Sequence, residues 1–573
     1  MDTLDGSKMK KTEYIKNKAT KAKNTGLQAI FKLIFSRIML TILMLSGQIY
    51  LLFILLERMN ASNAKWWLYF FNICAALCII VIINSDENPA FKLMWMIPMS
   101  IAPVFGVLLY VFIVANPVRM GQSKGLKRRI DETKPYLQTS EKLKWKMKEE
   151  KSPISDLSYY IQNVNHFPTY TNTEVFYFAN GQEKLTDLIC EIEKAEKFIF
   201  LEYFIINKGY VWDTVLDALK KKATQGVEVR LMYDGFNSLM ALPTKYAREL
   251  TPYGIQVREF APVRPFLSSH QNYRDHRKIV VIDGKVAFNG GINLADEYMN
   301  LKERFGYWKD TAVKIKGDAV QSFTAMFLQM WGMFDPANED YEKYLGALPT
   351  ELDDKENGIQ DEKIRIPLAE TGAKAEAESE NKLEQRETNA GLGYVIPYND
   401  DPCNRQDVAE EVYLDILNKA RDYVWIMTPY LIPENEMITG LCFAAQRGVD
   451  VRIIMPHIPD KKIVFDIAHT YYTQLIDAGV KMYEFTPGFV HAKMFLCDDC
   501  KAVVGTINLD FRSLYEHFEC ATFIYDNPVI DKIKEDYLNT FDQCQEFLKE
   551  DYKKLPLLNR ISGKVFRLFG PLL

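Results

Sequence analysis

The chain has 573 residues, of which 48% are hydrophobic, 13% aromatic and 25% charged, with a formal net charge of −5. Length alone allows roughly three or four domains, and the aromatic content excludes a chain disordered throughout. The acidic balance excludes a general nucleic-acid binder, whose domain would be strongly basic, and nine scattered cysteines form no disulfide framework and favour a reducing, cytosol-facing setting.

The first 37 residues form a basic tail with nine Lys or Arg. Three apolar runs follow at 38–56, 66–83 and 93–115, the last interrupted by Pro98 and Pro103. At 1.5 Å per helical residue each could cross a hydrocarbon core about 30 Å thick. The sequence therefore predicts a multi-pass membrane region over 38–115. A basic juxtamembrane segment, 116–164, comes next, with the cluster Lys127-Arg128-Arg129. Both flanks read as cytoplasmic by the positive-inside rule, which demands an even number of crossings. Three runs leave the number of crossings and the side of the active site open.

From about Asn165 short β-rich runs alternate with helical ones. Phe198 to Ile206 reads as a buried strand, Trp212 to Ala223 as a helix and Val227 to Tyr233 as a strand, which is α/β order. The order then recurs. Gln225-Gly226-Val227-Glu228-Val229-Arg230 matches Arg447-Gly448-Val449-Asp450-Val451-Arg452, and Gly254 to Phe260 matches Gly479 to Phe485. Offsets of 222 and 225 residues are too long for a solenoid repeat and indicate a duplicated domain. The two copies are placed at 165–345 and 393–550. Between them, 346–392 is an acidic linker: residues 351–387 carry twelve Asp or Glu, and 346–393 no aromatic. Such a segment buries little apolar surface.

The chemistry-bearing pattern is duplicated too. His276, Lys278, Asp283, Gly290, Gly291 and Asn293 match His491, Lys493, Asp498, Gly505, Thr506 and Asn508, both fitting H-x-K-x4-D-x6-G-[GT]-x-N. A lone H-x-K would carry little weight; agreement at five positions in two copies is not coincidence. Each motif opens an apolar β run, so His and Lys, two apart, share a face. Asp283 and Asp498 fall at odd spacing and open turn signals, which makes them structural turn or ion-pair residues. The glycines permit close backbone approach, and the asparagine amides can donate to an oxyanion. Two His, two Lys and two Asn converging from two domains suit a phosphodiester. Lysines and asparagines would hold its oxygens, one neutral His would attack phosphorus, and the other would protonate the leaving alcohol. Lysine is a poor metal ligand, so no metal is expected. The Cys497/Cys500 spacing lacks a second cysteine pair and reads as structural, as do His166, His457, His469 and His517. His270 precedes the first motif closely and carries no assignment.

The paired motifs resemble the phospholipase D superfamily, whose signature is two HKD motifs in one site. Asn88 to Leu93, Leu201-Glu202-Tyr203, Tyr233-Asp234-Gly235, Thr428 to Pro433 and Gly505 to Leu514 followed by Phe518-Glu519 narrow the resemblance to bacterial cardiolipin synthases. The resemblance implies transmembrane helices followed by two duplicated α/β sandwich domains sharing one active site, in a bacterial cell membrane. It implies phosphatidyl transfer between two phosphatidylglycerol molecules, giving cardiolipin and glycerol through a phosphohistidine. No cofactor is implied, and the partners are phosphatidylglycerol and an anionic bilayer, not nucleic acid. His, Lys and Asp of both motifs are then catalytic-motif residues, and Asn293, Asn508, Gly290, Gly505 and Thr506 bind substrate. Glu297 and Glu519 are candidates to orient the opposing histidines, and the analogy leans to His276 as nucleophile. Gly290-Gly291 replaces the Gly-Ser of many relatives, removing a hydroxyl. A hydrolase releasing phosphatidic acid is the nearest alternative. An inactive membrane scaffold is the alternative of another class, against which two intact His/Lys pairs argue. Oligomeric state is not legible. The mixed apolar and basic tail, 551–573, is suited equally to an anionic leaflet or to packing on the catalytic domain.

Overall fold

The computed structural model describes residues 61–104, 117–235, 246–262, 273–335, 337–346, 392–403 and 406–572, with a few isolated positions besides. The chain divides into two units, Met1–Asn116 and Pro117–Leu573.

In the first unit, helices Ala61–Ile83 and Pro89–Ile101 meet through Ala75, Ile82 and Met99. Asn88 starts the second helix by accepting a hydrogen bond from the Ala90 N–H at 2.9 Å, with Pro89 in the first turn, where its missing N–H costs nothing. Among the described residues no helix is long and apolar enough to cross a membrane. The predicted transmembrane helices are thus not found there. The 66–83 run lies within helix Ala61–Ile83. The 93–115 run is interrupted at Ala102, between Pro98 inside the helix and Pro103 just beyond it. The 38–56 run lies outside the described residues except for Ser46 and Tyr50.

The second unit holds both copies. The first copy supplies β1 (Thr173–Phe178), β2 (Phe198–Tyr203), β3 (Glu228–Asp234), β4 (Ile255–Phe260), β5 (Arg274–Asp275), β6 (Lys278–Ile282), β7 (Val286–Gly290), β8 (Tyr307–Lys309) and β9 (Ala312–Gly317). The second supplies β10 (Tyr394–Asp400), β11 (Tyr423–Met427), β12 (Leu431–Ile432), β13 (Asp450–Pro456), β14 (Lys481–Phe485), β15 (Gly488–Val490), β16 (Met494–Cys497), β17 (Lys501–Gly505), β18 (Leu509–Asp510), β19 (His517–Tyr525) and β20 (Cys544–Phe547). The sheet orders are β1-β9-β7-β6-β2-β3-β4 and β10-β19-β17-β16-β11-β13-β14-β20. Strand for strand they correspond, with β20 added at one edge. Strands β2, β3 and β4 run parallel, as do β11, β13 and β14. The central β2 is buried along its whole length, which explains its mainly apolar sequence, interrupted at Glu202. The turns that made the repeat visible need glycine: Gly226 and Gly448 sit at φ +91° and +97°.

The copies are stitched by exchanged strands. Short β5 of the first copy joins β19 of the second, and short β15 of the second joins β8 of the first, both parallel. The basic segment after residue 116 belongs to this unit. Helix Pro117–Thr133 buries Arg129, which donates to the carbonyls of Gly332 at 3.0 Å and Asp335 at 2.6 Å. The acidic linker lies outside the described residues apart from its ends, Gly346 and Leu392.

Candidate active site

Each histidine stands in the short connection between an exchanged strand and a central strand of its own sheet. His276 joins β5 to β6, and His491 joins β15 to β16 by way of Lys493. The motifs thus begin just ahead of the β runs rather than on them. Pairing across the copies then fixes the rings. Arg274 lies opposite His517 and Phe489 opposite Trp308, so the residue two before each histidine faces the residue two before an acid of the other copy. Those acids are Glu519 and Asp310. His276 Nδ1 lies 2.8 and 3.0 Å from the Glu519 oxygens, and His491 Nδ1 lies 2.7 Å from Asp310 Oδ2. Both acids are fully buried. The main chain repeats the exchange, because His276 N–H donates to the Phe518 carbonyl at 3.0 Å and His491 N–H to that of Lys309 at 2.7 Å.

Aromatic walls obey the same symmetry. His517, two before Glu519, lies against His276 with ring centroids 5.3 Å apart, and Trp308, two before Asp310, lies against His491 at 5.3 Å. Phe204 stands edge-on to His276 at 4.6 Å and Tyr298 to His491 at 5.4 Å. Lys278 Nζ donates to the carbonyl of His276, and Lys493 Nζ to that of His491. Both ammonium groups are therefore tethered to the histidine loops of their own motifs.

Burial dominates the electrostatics. It pushes His276 well below the usual imidazole range, helped by the positive charges of Lys278 and Lys493. Burial and Lys493 lower His491 to about 4, against the pull of Asp310. The lysines are depressed for the same reason, Lys278 to about 8 and Lys493 to about 7, although Asp310 and Glu519 act to raise both. The site is thus a pair of neutral imidazoles beside two ammonium groups that hold their protons weakly, a field that an entering anion would relieve. His276, His517 and Glu519 bring ligand atoms within 4.8 Å of one another and could hold a metal ion. The adjoining lysines oppose a second positive charge there, so the donor set fits a cation poorly.

Other expected site residues serve the scaffold. Asp283 accepts from the backbone N–H groups of Glu196, Lys197 and Phe198 at 2.7–2.8 Å. Asp498 does the same for Arg421, Asp422 and Tyr423 at 2.8–2.9 Å. Each aspartate locks the loop entering its central strand, away from the histidines. Gly290 and Gly505 make room for strand pairing: an added Cβ would meet Ala312 Cα at 2.5 Å or Ala521 Cβ at 2.4 Å. Thr506 donates to Glu519 Oε2 and accepts from the Cys520 N–H at 3.0 Å, so it braces the carboxylate. Gly291, its counterpart, lies against Asp310, where a Cβ would come within 2.1 Å of Oδ1. Asn293 accepts from the Ile205 N–H at 3.0 Å and donates to the Tyr298 hydroxyl at 2.8 Å. Asn508 donates to Asp510 and Ser513. Both amide nitrogens thus have partners within the chain, while Asn508 Oδ1 is buried without one among the described residues.

Glu297 does not reach a histidine. It pairs with Arg304 at 3.1 Å in the insertion between β7 and β8, and Asp310 stands where a histidine partner was sought. Sequence reasoning missed Asp310, His517 and Trp308. A usable signal existed in the strand register: each acid lies two residues before the alanine that pairs with the motif glycine, Ala312 with Gly290 and Ala521 with Gly505.

Comparison with known proteins identifies the family. A family described as "Cardiolipin synthase, PLD-like domain" matches residues 188–331 and 413–544, and one described as "Phospholipase_D-nuclease N-terminal" matches 73–113. A cardiolipin synthase 2 of Bacillus cereus is 33% identical over 88% of this chain and 91% of its own length. The chain belongs to the cardiolipin synthase family. Further members at comparable coverage include a cardiolipin synthase of Geobacillus kaustophilus, 31% identical over 87% of this chain and 92% of that one. An uncharacterized protein of Streptococcus mutans is 46% identical over 86% of this chain and 99% of its own length. As a member of this family the chain is an enzyme with the duplicated α/β phospholipase D-like fold, and the family is consistent with association with a membrane.

Proposed function

We propose that this enzyme transfers a phosphatidyl group from one phosphatidylglycerol to a second, giving cardiolipin and glycerol. The observation that carries the proposal is the reciprocal pairing of His276 with Glu519 and His491 with Asp310, beside Lys278 and Lys493. With Nδ1 committed to a carboxylate, each ring has Nε2 left for chemistry. The phosphodiester monoanion enters between the ammonium groups of Lys278 and Lys493, which offset its charge and the charge gathering on the equatorial oxygens. That negative charge also raises the depressed histidines.

In the first half-reaction His276 Nε2 attacks phosphorus and the bond to the glycerol oxygen breaks. Protonated His491 gives its proton to that oxygen, and glycerol leaves. His276 becomes a phosphoimidazolium whose charge faces Glu519. In the second half, His491, now neutral, takes the proton from the terminal hydroxyl of a second phosphatidylglycerol. That oxygen attacks phosphorus and the P–N bond breaks, which restores both rings. Assigning the nucleophile to His276 follows the superfamily analogy, since burial holds both rings neutral.

Both substrates are lipids, so the enzyme works at a bilayer. The apolar runs within 38–115 support the finer reading of a multi-pass anchor in a bacterial cell membrane, which alkaline extraction of membranes would test. The function is tested with purified enzyme and glycerol-labelled phosphatidylglycerol in mixed micelles. Cardiolipin and glycerol should appear one for one, both lost in His276→Ala and His491→Ala, with a trapped phosphoryl group mapping to His276. Phosphatidic acid in place of cardiolipin would make the enzyme a hydrolase, and no turnover would overturn the reading.

A further inference from the structure

Beyond residue 551 the second unit ends in helix Leu557–Phe566 and a 3₁₀ turn, Arg567–Leu572. The helix lies on helix Lys462–Asp477, fastened at Gly563, where an added Cβ would sit 2.2 Å from the Asp466 carbonyl oxygen. At 100° per residue, Leu557, Leu558, Ile561 and Val565 fall within an arc of about 100° whose centre is opposite Gly563. These four side chains are exposed, Leu557 by 65% and Leu558 by 79%, and Leu568 and Phe569 continue the exposed row. An apolar face turned outward beside a packed face is abnormal for a helix on a soluble surface.

Charge identifies what covers it. Residues 552–573 hold five basic side chains (Lys553, Lys554, Arg560, Lys564 and Arg567) and no Asp or Glu, in a chain of net charge −5. Lys553 and Lys564 are exposed, whereas Arg567 is folded over the Tyr471 ring at 3.9 Å. Outward leucines edged by lysines match an anionic lipid surface. The tail is also tied to the site. Gly570 lies against Ile432 and Phe511, and Phe511 follows the Asn508–Asp510 segment of the second motif.

We propose that the Leu557–Phe569 face is a monotopic docking surface that inserts into the anionic leaflet and seats the catalytic unit on the membrane presenting its substrate. The idea rests on the lipid reaction proposed above, but its primary readout does not. In full-length enzyme reconstituted in phosphatidylglycerol-containing nanodiscs, a photoreactive benzophenone side chain replaces Leu558. Irradiation should give lipid adducts at that position. Adducts to a second copy of this chain or to another segment of the same chain would overturn the proposal. Leu558→Asn with Ile561→Asn, both surface changes, should raise the apparent KM for bilayer-presented phosphatidylglycerol by at least about tenfold. Turnover in detergent micelles should stay unchanged. Lys553→Gln with Lys564→Gln should weaken bilayer use about 25-fold, at about fivefold per cation, and less at high salt. An unchanged KM in both double variants would overturn the docking role even with the enzyme active. Inactive wild-type enzyme in micelles alongside lipid adducts would instead count against the reaction.

Discussion

Glu519→Gln isolates the part that the carboxylate plays. The substitution keeps the volume of a fully buried side chain and removes its charge. Glu519 meets His276 Nδ1 at 2.8 and 3.0 Å, receives the Thr506 hydroxyl, and lies 3.6 Å from His517 Nδ1. In free enzyme a glutamine carbonyl can still accept from Nδ1–H of a neutral ring, so ground-state binding should change little. The loss falls on the charged phosphoimidazolium. A hydrogen bond to a charged group is worth about 1.5–3 kcal/mol, so kcat should drop by roughly 10- to 150-fold. KM for phosphatidylglycerol should move by less than about threefold. Initial rates of glycerol release across a lipid-fraction series separate the two terms, and a thermal melt reports folding. A second arm uses Thr506→Val. If the hydroxyl acts by bracing Glu519, it should cost activity in the native background and far less beside Glu519→Gln. A kcat within threefold of wild type, or additive losses in the double variant, would refute the orienting and charge-stabilising role.

Four further outcomes follow from the same geometry. Gly291→Ala places a methyl against Asp310 Oδ1 and the His491 carbonyl; kcat should fall about 5- to 150-fold for about 1–3 kcal/mol of overpacking, measured by turnover beside a melt. Asp283→Ala or Asp498→Ala strands three backbone N–H donors each, so denaturant unfolding should show a loss of about 2–4 kcal/mol, with turnover per folded molecule retained. Lys493 at about 7 and Lys278 at about 8 lose their protons as pH rises through those values. Bound phosphate holds them protonated, so the KM for phosphatidylglycerol should climb between pH 7 and 9 while kcat changes less, as initial rates across that range would show. Excess chelator should leave the rate unchanged; a drop restored by one divalent ion would assign the His276–His517–Glu519 cluster as a metal site instead.

Much of the duplicated fold was legible because its turns require particular residues. Gly226 and Gly448 recur since both occupy positive φ, and each motif aspartate recurs since each fastens the loop before a central strand. Repeated sequence thus reported repeated backbone. The resemblance offered Glu519 and, on a looser match, Glu297 as candidates to orient the histidines, and only Glu519 lies beside one. An insertion between β7 and β8 carries Asp296 to Gly306, which pushes Asp310 to 34 residues beyond His276 while Glu519 stays 28 beyond His491. Counting along the chain fails across such an insertion. Counting along the hydrogen-bonded ladder does not, because Gly290–Ala312 and Gly505–Ala521 stay in register. The substrate roles given to Asn293, Asn508 and Thr506 met a different difficulty. A sequence shows that a side chain can donate, and only packing shows that Ile205, Tyr298, Asp510, Ser513 and Glu519 already engage them.

The exchange of strands explains why two copies make one site. Within a copy, the strand that follows the histidine loop and the strand at the acid are separated by one strand, β7 in the first sheet and β17 in the second, and the histidine bonds to the other copy's acid. β5 reaches across to β19 and β15 to β8, and each carries its histidine two residues beyond the pairing point. Each motif histidine thus takes its carboxylate partner from the other copy. Asymmetry between the halves is then confined to what surrounds an equivalent frame: His517 against Trp308, Glu519 against Asp310, Thr506 against Gly291. A reaction whose second half retraces the first needs that combination. In the reaction proposed above, equivalent placement would let both imidazoles address one phosphorus, and unequal surroundings would let one be the nucleophile while the other carries the proton.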